Sequence, residues 1–179
     1  MLHRLDSAIR GKPVKRAMIG LLLALGAPAV ASPPPPTPAA AAKAFLDGIY
    51  GPWMQRLKKP NGPFYKEPPH DRIYVPEITA LLNKDEKNSA RSGEVGVIDG
   101  VILCSCQDDG GMTAKVSVPA ASAASATAKV ALSFDGKYAK TLTLKLSKLP
   151  QGWRIADVSD PPDMPSLLAM LRKELGGKR

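Results

Sequence analysis

Hydrophobic positions recur along this chain with two different periods, and the change of period divides it. Ala41, Phe45, Leu46, Ile49 and Trp53 fall at helix-like spacing. Gly48 and Gly51-Pro52 interrupt that pattern, which predicts a kink or an early end near Gly51. Residues 58–72, KKPNGPFYKEPPHDR, are polar and full of breakers, and they read as a long loop. Pro76 suits a first helical turn, and Ile78, Leu81 and Leu82 share a face, so a short helix is expected over 76–83.

From Met112 onward the period is two. Ala114, Val116 and Val118 alternate with Lys115 and Ser117. Ala128, Val130, Leu132 and Phe134 alternate with Thr127, Lys129, Ala131 and Ser133. Asp135-Gly136 then marks a tight hairpin. Leu142, Leu144 and Leu146 alternate with Thr141, Thr143, Lys145 and Ser147, and the turn LPQG leads into WRIADV, 153–158. This is an antiparallel meander with one greasy face and one Lys/Thr/Ser face, so it is half buried and needs a cover. Lys115, Lys129, Lys140, Lys145 and Arg154 are placed on its solvated face. A final helix carries the stripe Met164, Leu167, Leu168, Leu171 and Leu175, with Asp163 or Ser166 as cap, Pro165 in the first turn and Gly176-Gly177 at the end. The expected class is α+β: N-terminal helices packed on a four-stranded antiparallel meander, closed by a C-terminal helix.

The N-terminus adds a compartment. Arg4, Arg10, Lys12, Lys15 and Arg16 precede the apolar run AMIGLLLALGAPAVA, 17–31, which ends in the small-x-small pattern Ala29-Val30-Ala31. The run is short of the roughly 20 residues that span a bilayer. It reads as a cleavable export signal over 1–31, placing the protein in the periplasm or outside the cell, with no stable membrane insertion after cleavage. Residues 32–42, SPPPPTPAAAA, read as a Pro/Ala-rich spacer, and 43–179 as a single domain.

Cleavage also changes the charge. The whole chain holds 25 Lys+Arg and 16 Asp+Glu, a net +9. Five basic residues and one acidic residue fall in 1–31, leaving 20 against 15 and a net +5. That balance is mildly basic, and its lysines are dispersed with few aromatics between them, so no nucleic-acid partner is expected.

Several segments resemble a known family. FLDGIY (45–50), YVPEI (74–78), GWRIADV (152–158) and SLLAMLRKEL (166–175) occur in order around the meander. Together they resemble a secreted bacterial family catalogued only as a domain of unknown function. The resemblance implies a cone-shaped α+β fold like that of nuclear transport factor two and the cystatins. VIDGVILCSCQDD, 97–109, looks like that family's middle motif, in which acidic positions lead into a Gln-Asp pair. Asp99, Gln107 and Asp108 match it, whereas Val101 stands where a second acid is expected. The resemblance implies a fold more than an activity.

The same segment holds both cysteines, Cys104 and Cys106. In an extended strand their Cα atoms lie about 6.6 Å apart on one face, at the long edge of disulfide geometry. Three readings stay open: a local disulfide in an oxidising compartment, two free thiols, or redox, metal or intermolecular chemistry. The spacing is neither the redox C-x-x-C nor a usual zinc pattern. His70 is the one histidine after residue 31 and is expected on an exposed loop, and nothing in the sequence brings it to the cysteines.

Catalytic patterns are missing. No G-x-S-x-G elbow and no G-x-x-x-x-G-K phosphate loop occurs. Asp99, Asp108, Asp109 and Asp157 read as turn formers or surface charges. Tyr50, Trp53 and Trp153 read as core plugs or as the lining of a ligand mouth. No catalytic residue, cofactor or metal is expected. The sequence reads as a non-enzymatic binding module of the bacterial envelope, taking an envelope protein or a small apolar ligand. A thiol-redox or metal protein working through Cys104 and Cys106, and an immunity-like inhibitor of an envelope hydrolase, are the alternatives.

Overall fold

A computed structural model describes residues 34–58 and 67–176. The expected export signal over 1–31 and its expected cleavage site lie outside the described residues, as do 59–66 and 177–179. In chain order the elements are α1 (Pro38–Leu57), α2 (His70–Ile73), α3 (Pro76–Ser92), β1 (Met112–Ala121), β2 (Ser125–Phe134), β3 (Lys137–Leu149), β4 (Gly152–Ser159) and α4 (Leu167–Leu175). The four strands form one antiparallel sheet in the order β1-β2-β3-β4. The fold is α+β, with helices before and after the sheet, as the change of period predicts.

The helices differ from expectation in extent. α1 begins at Pro38, with the Thr37 hydroxyl accepting from the Ala40 N–H at 3.3 Å. Residues 38–42 therefore belong to the folded unit and not to the spacer, and Ala42 is fully buried. α1 also runs through Pro52 to Leu57, past the expected break at Gly51. An interior proline costs about 3 kcal/mol. Burial of Leu46, Ile49, Tyr50 and Trp53 on one face outweighs it, at roughly 1.5–3 kcal/mol for each large side chain.

The expected long loop contains α2, so His70 opens a helix and is half-buried instead of lying on an exposed loop. α3 continues to Ser92, nine residues beyond the expected end, through the polar stretch 84–92, which holds no Gly or Pro before Gly93. Its last turns bury Asp85, a polar side chain that an apolar-stripe criterion passes over. α4 starts at Leu167 with Ser166 as cap, its hydroxyl accepting from the Ala169 N–H at 3.1 Å. Asp163 is not the cap, and Pro165 lies ahead of the helix.

The greasy face of the sheet forms the core: Val116 from β1, Ala128, Val130 and Leu132 from β2, Leu142, Leu144 and Leu146 from β3, and Ile155 and Val158 from β4. It packs against α1, and against α2 and α4 at β4, while α3 packs on α2 and α4. Asp135 and Gly136 take the left-handed conformation that a two-residue hairpin demands, with φ of 50° and 76°. One expected surface residue changes place. Lys140 is two residues from Leu142 and lies opposite the buried Leu132, so alternation puts it on the core side of β3 and not on the solvated face, and its ammonium reaches Asp160 at 2.8 Å and the Ser105 carbonyl at 2.6 Å.

Candidate functional site

The segment between α3 and β1 has little regular structure, yet each stretch of it is tied to a packed element. Beyond Gly93 the chain turns back along α3. The buried Asp85 carboxylate accepts the N–H of Val97 at 2.9 Å and of Ile98 at 3.0 Å. Gly96 is pressed against that carboxylate, and a Cβ there would stand 2.5 Å from Asp85 Oδ2. At Val101 the chain enters a tight bend that closes at Cys106. The Val101 N–H donates to the Cys106 carbonyl at 2.8 Å, and the Ser105 N–H to the Ile102 carbonyl at 3.1 Å. Gly100, at φ +143°, allows the close approach, since a Cβ there would meet the Cys106 carbonyl at 2.8 Å.

Cys104 and Cys106 are joined by a disulfide across this bend, with their Cα atoms 5.1 Å apart. The extended geometry expected for the pair is therefore wrong. Ser105 sits in the left-handed region at φ 48°, and the resulting turn shortens the span well inside the disulfide range. Cys104 is fully buried and Cys106 half-buried.

The bend is anchored from below at Leu103. Its carbonyl accepts from the Tyr50 hydroxyl of α1 at 2.8 Å, and its N–H is hydrogen-bonded to the Glu67 carboxyl. Burial raises the Glu67 pKa, with the nearby His70 charge and the Leu103 N–H pulling it back down. Trp53, stacked on Tyr50 at 6.1 Å between ring centroids, donates its Nε1–H to Asp109 at 2.6 Å. Arg56 lies 3.5 Å from the same carboxylate.

The braced bend forms one wall of a pocket of about 280 Å³. Val97, Ile98, Val101 and Cys106 line that wall, and Met164 and Met170 close the opposite side from before and within α4. Asp99 and Gln107 stand on the exposed rim, where the Gln107 amide donates to Asp99 Oδ2 at 3.1 Å. Its lining mixes these apolar side chains with nearly as much polar surface, to which Asp99, Ser105 and Gln107 contribute.

The structure thus brings together Cys106, Asp99 and Gln107, and it separates them from the other residues the sequence singled out. Asp108 turns away and accepts the Gly110 N–H at 2.8 Å. Tyr50 and Trp53 lie in the core beneath the bend and do not line the pocket. Trp153 is buried with the Lys148 ammonium 5.5 Å over its ring, and it does not line the pocket either. Asp157 accepts from the Ser166 hydroxyl and the Leu168 N–H, holding the start of α4. His70 lies beside Asn83 at 3.4 Å and Glu86 at 3.8 Å in a separate polar groove, not beside the cysteines. Among the described residues no three His, Cys, Asp or Glu side chains are grouped to hold a metal ion.

Sequence reasoning missed Asp85, Glu67, Met164 and Met170 as parts of this site. Asp85 had a signal, an acid on the otherwise apolar side of a helix. The others have none, because only packing brings 67, 103, 164 and 170 together.

No family model matches the chain, so the family likeness of its short segments finds no support there, and no curated protein matches it. A solved structure of a phospholipid-binding protein from Ralstonia solanacearum, in complex with a phospholipid, is similar at 14% identity and a TM-score of 0.32. The match covers 75% of this chain and 59% of that one, so the chain spans less than two thirds of its length. A likeness that slight does not establish a shared fold. Among the described residues no helix is long and apolar enough to cross a membrane.

Proposed function

We propose that this protein is an exported, non-enzymatic binding module of the bacterial envelope, and that the pocket beside the disulfide bend receives a small apolar ligand. The observation that carries the reading is the pairing of Met164 and Met170 with Ile98 and Val101 across about 280 Å³. Thioether side chains adapt to irregular apolar shapes, and preformed apolar pockets with few polar groups are the usual form of small-ligand sites. Backbone groups of this segment are taken by Asp85, Tyr50, Glu67 and Lys140, and the side chains of Val97, Ile98 and Val101 line the pocket beside the polar Asp99, Ser105 and Gln107.

The test uses the exported protein and the fluorescent probe N-phenyl-1-naphthylamine. Saturable binding that weakens about tenfold or more in Met164→Glu and Met170→Glu, with unchanged circular dichroism, supports the reading. Equal affinity in the variants, or no saturable binding, sinks it. Export is tested on the same preparation, whose mass should begin at Ser32.

A second reading rests on Cys106, a half-buried disulfide sulfur beside the pocket. In that reading the bridge exchanges with a dithiol and the protein works as a thiol-redox partner. Loss of function in the Cys104→Ser/Cys106→Ser protein, with ligand binding intact, would favour it over the first.

A further inference from the structure

The strand register lines up cations that are far apart in sequence. Lys115 of β1 lies opposite Ala131 of β2, and Lys129 is two residues from Ala131. Lys129 lies opposite Thr143 of β3, and Lys145 is two residues beyond Thr143. Ser147, two residues beyond Lys145, lies opposite Arg154 of β4. Each step is therefore to a diagonal cross-strand neighbour, about 7–8 Å away on the same face. By backbone position this is a single oblique line crossing all four strands, at whose β4 end the Arg154 guanidinium also donates to the Asp71 carbonyl at 3.1 Å and the Trp153 carbonyl at 2.9 Å. Lys115, Lys129 and Lys145 are exposed and Arg154 is half-buried.

The surroundings suit an anionic ligand. β1, β2 and β3 contain no Asp or Glu. The positions beside the line are small or hydroxylated, with Ser117, Thr127, Ala131 and Thr143 among them, and the Lys129 ammonium rests 3.0 Å from the Thr143 hydroxyl. The Asp157 carboxylate lies 3.6 Å from Lys145, but it is already hydrogen-bonded by Ser166 and the Leu168 N–H.

We propose that this oblique line binds a linear acidic polysaccharide along the open face of the sheet. The line is one cation wide, which fits a chain of regularly spaced negative groups better than the two-dimensional array of a lipid surface. The flanking hydroxyls supply hydrogen-bond partners for sugar hydroxyls. No aromatic side chain stands between the four cations to stack nucleobases, and no large apolar side chain stands there to enter a bilayer. This site is independent of the ligand pocket, since none of the four residues lines that pocket.

The experiment measures binding of the exported protein to polygalacturonate by affinity electrophoresis, at low and at near-physiological ionic strength. Phosphatidylglycerol vesicles and single-stranded DNA serve as rival probes. The expected result is salt-sensitive binding to the polysaccharide that weakens about tenfold in Lys115→Gln/Lys129→Gln/Lys145→Gln. Lys43→Gln/Lys87→Gln/Lys173→Gln removes the same charge from exposed helix positions and should change binding less than about threefold. Lys129→Gln alone should give a partial loss, which guards against a folding defect in the triple variant. Equal losses in the two triple variants, absence of salt-sensitive binding, or tighter binding to vesicles or DNA than to polygalacturonate would each overturn the proposal.

Discussion

The hydroxyl of Tyr50 donates a 2.8 Å hydrogen bond to the backbone carbonyl of Leu103, 53 residues further along the chain. With Glu67 on the Leu103 N–H, this bond fixes the disulfide bend to α1 from beneath. Tyr50→Phe keeps the buried ring and removes only the hydroxyl, leaving a buried carbonyl short of a donor. The expected cost is about 1–2 kcal/mol in urea denaturation, with weaker binding of an apolar probe in the pocket. Unchanged stability together with unchanged probe binding would show that the bend is held without it.

Asp85 supports the other end of the same segment through two backbone N–H groups, Val97 and Ile98. Asp85→Ala orphans both donors and should cost about 2–3 kcal/mol, more than Tyr50→Phe, because hydrogen bonds to a carboxylate are the stronger kind. Native-state hydrogen exchange provides the local readout. The 97 and 98 amides should exchange faster in the variant while amides of β2 and β3 hold their protection.

Glu67 gives the protein a pH dependence of predictable sign. Burial lifts its carboxyl pKa above the ordinary value near 4.5, against the opposing pull of His70 and the Leu103 N–H. The native state therefore holds the proton more tightly than the unfolded chain does. The stabilising contribution is complete below the unfolded value and is lost as pH rises through the folded one. Glu67→Gln should accordingly raise the melting temperature near pH 7 and leave it close to wild type near pH 4. A variant less stable than wild type near pH 7 would mean that the charged carboxylate is the form the fold needs.

The disulfide closes a ring with one residue between the cysteines, so it removes little freedom from the unfolded chain. Cys104→Ser/Cys106→Ser is expected to cost about 1–2 kcal/mol. Probe binding should stay within about threefold of wild type, since the bend keeps its anchors at Asp85, Tyr50 and Lys140. Denaturation and probe titration of the double variant check both. A collapse of binding would make the bridge itself part of the pocket's architecture.

Much of the fold is legible in the residues taken a few at a time. Alternation of Val130, Leu132, Leu142 and Leu144 with lysine and threonine marks the strands and their buried face. Asp135-Gly136 marks the turn between β2 and β3, and Ser166 with the leucine stripe marks α4. Helix limits are less legible. The proline within α1 and the polar second half of α3 look like stops, and tertiary burial of Trp53 and Asp85 carries the helices past them. Of the candidate site, only Asp99, Cys106 and Gln107 were visible in advance, as members of one short segment.

The sequence by itself determined the period of each element, the turn chemistry and the α+β order, because these depend on neighbours within one or two turns of chain. Only the tertiary structure decided that Tyr50, Glu67, Asp85 and Lys140 converge on one irregular segment, that Met164 and Met170 face it, and that four cations on four strands fall into one line. The physical reason is the same in each case. A backbone N–H or carbonyl in an irregular segment must find a partner, and the register of a strand must be set. Both choices are made by packing between residues that are distant in the chain.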